Sequence, residues 1–581
     1  MLSPIMRRGT SILILFGAVL LAYAPALWNG FVWDDTALVL RDPLIRSPRL
    51  IGEGFRHFLF LDATASDFYR PLQRVVYTLV YTLGGFTPWA FHLASLLVHG
   101  AAAVALYEFA RRFLRQVGVS RSELLAFSVA LLWAVHPVFT SAVTYVSGLA
   151  DPLAAFFGFG GLALLIARRH IPAGVCLGAA LFCKESGLFA LLIGLGFAWD
   201  LARSESGPMR RHLAVVLRMA VPMLVLAGLY LGLRTTAERT PPPASRPVPA
   251  MERPVLALRA VAEYAGLLAA PVTLRMERDV RVPNGKGVLQ TLAGGLVLLA
   301  LGIWFRYSKK PTRQCLLAAL MAYLPISNLF VLNATIAEHW IYIPSAFLFL
   351  AAASSAGPFL AQNARAARVA FAVFLVGVLA LGFRTAIRCA DWRNQQSFLH
   401  ATIRDGGDSS RMLSNLASLK SSQGDLAGAI RDYTAALERK PDQPFAMLGL
   451  SGALIRQRSF NEARHWLERC EKIPLIRADA LSNQAVLEFK ESGRDRLDLL
   501  KEAASIDRRF WPLQKRYIGH LIERGQHGEA VRELRTVLED QPFRSETWEL
   551  LGRALEAAGS RELAGQALEE ADRLDWHRAR N

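Results

Sequence analysis

The sequence predicts an all-α chain in two parts, a polytopic helical membrane domain followed by a soluble α-solenoid. Two observations carry that expectation. Apolar runs recur from Ser11 to about Phe383 in a chain of 581 residues that is 53% hydrophobic, with a mean hydropathy of +0.27, and none follows once charge rises. Beyond residue 410 a 34-residue spacing of small, aromatic and turn residues takes over. The length allows a membrane domain over 1–395, with outer loops at 28–88 and 234–287, and a second domain over 396–581.

Eleven spans are expected, over 11–27, 89–110, 124–137, 153–168, 172–183, 187–201, 213–233, 288–306, 315–332, 342–361 and 369–386. Several fall short of the roughly 20 residues that a straight crossing takes, which predicts tilted or broken helices around a polar cavity. Short basic loops all fall on one side: Arg7 and Arg8; Arg111, Arg112, Arg115 and Arg121; Arg168 and Arg169; Arg203, Arg210 and Arg211; Arg306, Lys309, Lys310 and Arg313; Arg365 and Arg368. The positive-inside rule makes that side cytoplasmic, and an odd number of spans then puts the C-terminal domain outside. Membrane topology thus accounts for the net charge of +18 better than a nucleic-acid partner does. Arg7-Arg8, the apolar run and Ala22-Tyr23-Ala24 also fit a cleaved signal peptide, after which Asp34 would survive. Pro241 to Pro247 is too proline-rich for regular structure and reads as a strap, a gate or a connector. Lys numbers 10 against 56 Arg, a genome bias that points to a GC-rich bacterium and hence to its plasma membrane. Cys176, Cys183, Cys315, Cys389 and Cys470 show no CxxC spacing, so neither a disulfide framework nor a metal site is expected from them.

In the tail, Ala417, Gly424, Ala429, Tyr433, Ala436 and Pro441 occupy the small, turn, knob and terminating positions of a tetratricopeptide repeat. Ala463 lies 34 residues after Ala429, and Pro474 closes that unit. Residues 480–508 are degenerate. Gly525, Ala530 and Pro542 mark another helix pair, and Trp548, Gly552, Gly559 and Ala564 a last, which gives four to five pairs ending in the polar cap Asp572-Arg573-Leu574-Asp575. Such arrays bind rather than catalyse; this one either docks a protein or peptide substrate or holds a dimer or envelope partner.

Chemistry is expected at the outer ends of the spans, where ionisable groups are costly unless they line a site. Phe31-Val32-Trp33-Asp34-Asp35 places two carboxylates just beyond the first span, either as catalytic acids or as a solvated turn. Arg70, in Tyr69-Arg70-Pro71-Leu72, meets a phosphate or anchors at the interface. His136, in Val135-His136-Pro137, assists a leaving group or caps a helix. Lys184 and Glu185 lie between two apolar helices, where they pair or serve a ligand, with Lys184 the best candidate for a lipid phosphate. Glu338, His339 and Tyr342 bring a carboxylate, an imidazole and a phenol to another outer helix start. Asp151, between Gly148 and Pro152, reads first as a helix N-cap.

These landmarks in this order, with Phe91-His92-Leu93 and Ser327-Asn328-Leu329 between them and the repeats after them, resemble the transmembrane and tetratricopeptide-repeat-containing O-mannosyltransferases and their bacterial relatives, over nearly the whole chain. The resemblance implies a GT-C glycosyltransferase fold and transfer of a sugar, mannose in the eukaryotic enzymes, from a polyprenyl-phosphate carrier to Ser or Thr hydroxyls outside the cytoplasm. It gives Asp34 the position of the catalytic base. His339 stands where many relatives have Arg, and Leu149 where Gly-Arg-Ala-Asp is common, so donor recognition is expected to differ.

The residues fit that chemistry on their own terms. A lipid phosphosugar leaves as a phosphate, so its site needs a base on the acceptor face and cations on the other. Asp34 supplies the first, with Asp35 orienting it or the acceptor. Lys184, Arg70, His136 and His339 compete for the second, and Glu338, Tyr342 and Glu185 for the sugar or acceptor. A single displacement inverts the anomeric centre through an oxocarbenium-like transition state. No metal or cofactor is required, although Asp34 and Asp35 together offer a site for Mg²⁺ or Mn²⁺. The alternative is a non-catalytic membrane scaffold whose repeats assemble an envelope complex. A transporter is disfavoured, because the sequence lacks duplicated halves.

Overall fold

The computed structural model describes residues 8–62, 67–204, 208–237, 251–278, 287–330 and 334–578. The proline-rich stretch at 241–247 lies outside the described residues. A helix occupies each expected span: α1 (Arg8–Tyr23), then, after the outer helix α2 (Pro71–Gly84), α3 (Pro88–Gln116), α4 (Ser122–Ala134), α5 (Ala150–Ile166), α6 (His170–Cys183), α7 (Gly187–Arg203) and α8 (Met209–Thr236). After α9 (Arg253–Ala269) come α10 (Gly287–Tyr307), α11 (Lys310–Tyr323), α12 (Tyr342–Gln362) and α13 (Ala364–Ala390). Helices are the expected outcome, since hydrocarbon leaves the backbone no other hydrogen-bond partner than itself.

Seven helical segments among the described residues are long and apolar enough to cross a membrane alone: α1 with the turn that follows it (Arg8–Trp28), α3, α5 with the turn before it (Val146–Ile166), α8, α10, α12 with the turn before it (Glu338–Gln362) and α13. Helix α4 makes an eighth span only together with Pro137–Val143, across a 50° bend. Helices α6, α7 and α11 are too short for a straight crossing. The expected span at 315–332 ends early, because the helix stops at Tyr323 and gives way to the 3-10 turn Leu324–Ile326 and irregular backbone. The lipid-facing helices are evident from their exposure. Leu289, Leu292, Leu296 and Leu299 on α10, and Val369, Val373, Val376 and Leu379 on α13, stand open at helical spacing, a surface that only hydrocarbon tolerates. The protein is therefore a polytopic membrane protein.

The two ends of the bundle differ in chemistry. At one, Glu108 binds Arg8 (2.6 Å), Arg111 (2.8 Å) and Arg112 (3.3 Å), and Glu123 pairs with Arg111 and Arg115, so part of the basic loop charge is neutralised locally. At the other end lie the chain between α1 and α3, the bend after α4, the α6–α7 turn, α9 and the start of α12. The region around α9 reads as loop in the sequence. It is a helix because residues 253–269 are amphipathic, burying Leu256, Ala260, Tyr264 and Leu267.

After α14 (Gln395–Arg404) five helix pairs follow: α15 (Ser410–Ser422) with α16 (Leu426–Arg439), α17 (Pro444–Gln457) with α18 (Phe460–Glu471), α19 (Arg477–Ser492) with α20 (Leu497–Ile506), α21 (Trp511–Glu523) with α22 (His527–Asp540), and α23 (Ser545–Ala557) with α24 (Arg561–Leu574). The degenerate stretch thus still folds as a pair. Gly424 takes φ of +91° in its turn, and Gly449 leaves its Cβ space to the Tyr433 ring.

This solenoid touches the membrane domain at both ends. At its start, Gly30 N–H donates to Arg393 O at 2.9 Å, and Val32 packs with Trp392, Phe398, Leu399 and Met412. At its far end, Phe543 and Leu574 bury against Leu44 and Leu50, the Tyr81 hydroxyl donates to Asp575 at 2.8 Å, and Arg544 grips Asp62 with two bonds of 2.7 and 3.0 Å. The Arg544 and Asp62 side chains are only 3% and 6% exposed. Removing one partner of such a pair leaves a buried charge and costs roughly 3–5 kcal/mol. Arg544→Ala is accordingly expected to raise hydrogen exchange over 542–578 and 44–62, and Asp62→Leu with Arg544→Met to restore protection. Unchanged exchange in the single variant would show that this pair does not hold the far end.

Candidate active site

The site lies at the end of the bundle opposite the Glu108 and Glu123 clusters, around a cavity of about 720 Å³. Its apolar floor comes from one side of α5 (Ala154, Ala155, Gly158, Phe159, Leu162) with Ile193 of α7 and Ile343 and Phe347 of α12, all within the membrane bundle. Its polar rim carries Asp34, Arg70, Tyr145, Asp151, Lys184, Glu185 and His339. A chamber that is apolar towards the membrane and charged at its mouth matches an amphiphile with a hydrocarbon tail and an anionic head.

Asp34 and Asp35 are adjacent but do different things. Asp35 is fully buried and faces away from the cavity. Its Oδ1 accepts from Ser147 N (2.7 Å) and Ser147 Oγ (2.6 Å), and its Oδ2 from Val32 N (3.1 Å). That ties the 31–35 turn to the turn at 146–149. Gly148 makes the second turn possible, since a Cβ there would lie 2.6 Å from Ser141 O. Burial nevertheless pushes the Asp35 carboxyl up to about 7.

Asp34, on the cavity wall, is half-buried; its N–H donates to Tyr145 Oη at 3.2 Å. Desolvation raises its pKa above the ordinary carboxylate value, while the Tyr145 hydroxyl, Arg411 and Arg70 pull it back down. Trp33 between them holds φ of +50°, a left-handed conformation that bulky residues rarely adopt, with its N–H donated to Gln395 Oε1 at 2.7 Å. Because the Asp35 oxygens are taken by N–H and O–H donors, the dyad offers a divalent cation one carboxylate, not two.

The structure brings three of the four expected cationic groups to the cavity. Lys184 Nζ lies 2.5 Å from Asp151 Oδ1, and Arg70 Nε donates to Glu185 Oε2 at 3.0 Å. Burial lowers the Lys184 pKa, and the Asp151 carboxylate opposes the shift. Asp151 is thus an ion-pair partner rather than an N-cap, and Glu185, which also accepts from Tyr69 N at 3.0 Å, is chiefly the clamp on Arg70. Each pair leaves donors over, since an ammonium has three and a guanidinium five. His339 completes the rim, its Nδ1 buried without a hydrogen-bond partner among the described residues.

Three expected residues lie elsewhere. His136 is buried as a cap: Nδ1 accepts from Val138 N (3.4 Å) and Nε2 donates to Leu268 O (3.2 Å). Glu338 is fully buried, its Oε1 accepting from Arg275 N (2.6 Å) and Arg278 Nη2 (3.1 Å), with Arg388 3.8 Å from Oε2. The Tyr342 hydroxyl pairs with His99 Nδ1 at 2.5 Å. The reason is helical geometry. His339, Ile343 and Phe347 share one face at i, i+4 and i+8, which lines the cavity, whereas Glu338 and Tyr342 share another.

Residues 421–472 match the family profile described as tetratricopeptide repeat, and 477–575 that described as bacterial transcriptional activator domain. The chain is similar to the protein O-mannosyl-transferase F38B6.6 of Caenorhabditis elegans, with 21% identity over 74% of this chain and 63% of that one. It is also similar to TMTC4 of Mus musculus, with 26% identity over 71% and 64%, and to TMTC1 of Homo sapiens, with 25% over 78% and 58%. Both carry the name protein O-mannosyl-transferase. The chain is thus similar to these proteins over about three quarters of its length, and it carries tetratricopeptide repeats. It spans 58–64% of the length of these three relatives. Among solved structures, ArnT from Cupriavidus metallidurans in the apo state aligns over 71% of this chain and 81% of its own at 16% identity, with a TM-score of 0.37.

Sequence reasoning missed Tyr145, Arg411, Glu277 and Phe445, all of which line the cavity. Arg411 and Phe445 come from the repeats. Phe445 is 46% exposed, and a bare aromatic on a repeat helix is the one signal that pointed to it. For the dyad, the geometry predicts that Asp35→Asn keeps the Oδ1 bonds but sets an NH₂ group against Val32 N–H, at about 1–3 kcal/mol. The expected result is a lower unfolding temperature of the detergent-solubilised protein; an unchanged one would mean that Asp35 does not anchor the turn.

Proposed function

We propose that the protein is a membrane glycosyltransferase of the lipid-phosphosugar class. It moves a sugar, mannose or another hexose, from a polyprenyl phosphate to an acceptor, a Ser or Thr hydroxyl of a protein, at the extracytoplasmic face of a bacterial plasma membrane. On this reading the basic loops are cytoplasmic, 1–395 is the catalytic part and the repeats of 396–581 lie outside. The observation that carries the reading is that one chamber holds a half-buried carboxylate, Asp34, together with Lys184, Arg70 and His339, above an apolar floor set in the membrane bundle. The names of the relatives support the choice of reaction and sugar.

Asp34 takes the proton of the acceptor hydroxyl as its oxygen attacks the anomeric carbon. The bond from that carbon to the phosphate oxygen breaks, and polyprenyl phosphate leaves with one more negative charge than the bound diester carried. Lys184, Arg70 and His339 are the groups placed to bind that charge as it develops. A single displacement inverts the anomeric centre and leaves the proton on Asp34. A phosphate is already a good leaving group, so the step is written without a metal.

Asp34→Asn removes the base and is expected to lower transfer of mannose from polyprenyl-phosphate mannose by about 10²–10⁴-fold without loss of protein. Transfer at the wild-type rate in the variant would exclude Asp34 as the base, and absence of transfer by the wild-type protein would favour a non-catalytic scaffold with the dyad as a structural turn. The pH profile follows from the direction of the shift. A base must be deprotonated, and burial raises the Asp34 carboxyl above 3.8, so kcat/KM rises with pH through a midpoint above that value. An acidic limb at or below 3.8 would exclude Asp34 as the base.

A further inference from the structure

The turn that carries Asp34 is built by both domains. Trp33 N–H is held by Gln395 of α14, its ring lies 5.4 Å from that of Phe398, and Val32 packs on Trp392, Leu399 and Met412. From the first turn of α15, Arg411 then enters the cavity wall itself, its guanidinium 5.2 Å from the centre of the Trp33 ring. That is a cation–π distance. Arg411 Nε donates to Glu277 Oε2 at 3.3 Å, the oxygen that also accepts from Ser409 Oγ at 2.8 Å. Ser409 caps the same helix by accepting from Met412 N at 3.2 Å, so the position of Arg411 is fixed from both sides of the domain boundary.

We infer that the repeat domain is part of the active site, with Arg411 a positioning residue that holds the Asp34 carboxylate charged on the acceptor side of the cavity. The inference rests on the reading of Asp34 as the base. A base flanked by apolar walls is lost to protonation unless a cation faces it. Asp34 is met by the Tyr145 hydroxyl, by Asp35 beside it in the chain, by Arg70 from the start of α2 and by Arg411, which outweighs Arg70 at this carboxyl. Lys184, Asp151, Glu185, Glu277 and His339 complete the charged rim. Lys184 and Arg70 are engaged by Asp151 and Glu185 on the donor side. Phe445, from the second helix pair, lines the same cavity, so an acceptor that follows the repeats meets Phe445 and Arg411 as it reaches Asp34. Binding on the repeats and ionisation of the base are thereby linked through one side chain.

The test reads the carboxyl itself. Dicyclohexylcarbodiimide labels protonated carboxyls, and the extent of labelling at Asp34 is followed against pH by peptide mass spectrometry in the full-length protein. Arg411→Gln is expected to move the labelling midpoint up by roughly half to one pH unit. Arg411→Lys is expected to restore it, and Glu277→Gln, which frees Arg411 of a neighbouring negative charge, to move it down. An unmoved midpoint in Arg411→Gln, or an upward move in Glu277→Gln, overturns the inference, and the second variant decides should the first not fold. In parallel, transfer from polyprenyl-phosphate mannose is measured. Its absence in the wild-type protein overturns the proposed reaction, while the labelling still judges Arg411.

Discussion

The buried carboxylate of Asp35 is the tie on which the site depends. It is the acceptor for three donors, two from Ser147 and one from Val32, and so fastens the turn after the first span to the turn that begins α5. Together with the bonds from Trp33 N–H to Gln395 and from Asp34 N–H to Tyr145, it holds Trp33 at positive φ and keeps Asp34 on the cavity wall. Burying such a group is costly, and the rise of its pKa to about 7 is the mark of that cost. Two neighbouring acids therefore differ in role: one fixes geometry, the other is left with its carboxyl on the cavity wall.

The same end of the bundle carries three further ionic clusters, each tying one element to another: Lys184 with Asp151, Arg70 with Glu185, and Arg278 and Arg388 with Glu338. The first two open on the cavity, and the third is sealed behind it. Breaking a buried pair is more damaging than never having had one, so these pairs lock the outer loops into one arrangement. The solenoid adds to this through its two attachments, at residues 392–416 and 543–576. A truncation after Arg404 would therefore remove Met412 from beneath Val32 as well as the repeats, and loss of activity in that truncation would not by itself report on acceptor choice.

Much of this was legible in the chain. Apolar runs gave the eleven helices, because a backbone in hydrocarbon has only itself to bond to, and the 34-residue spacing gave the solenoid, because each helix pair buries its face on the next. The meeting of Asp34, Lys184, Arg70 and His339 followed from their shared place at the outer helix ends. What stayed hidden was direction. Residues 338 and 339 are neighbours in sequence, yet about 120° of rotation in the 3-10 turn Glu338–Ile341 sends Glu338 into the protein and His339 into the cavity. The split between Asp34 and Asp35 depends on Ser147, more than a hundred residues away, and Arg411 reaches the site only because residues 392–416 pack on the turn that carries Trp33. Contacts of that sequence separation leave no local pattern to read.

The central claim is that the cavity binds a lipid phosphosugar with its phosphate at Lys184 and Arg70 and its chain along the α5, α7 and α12 floor. Its most direct test is a cryo-electron microscopy structure of the protein in a lipid nanodisc with a non-hydrolysable polyprenyl-phosphate mannose analogue. The account predicts the phosphate within hydrogen-bond distance of the Lys184 Nζ and the Arg70 guanidinium, with the anomeric carbon on the Asp34 side. A phosphate bound away from both cations, or a cavity that stays empty beside lipid bound elsewhere, would contradict it.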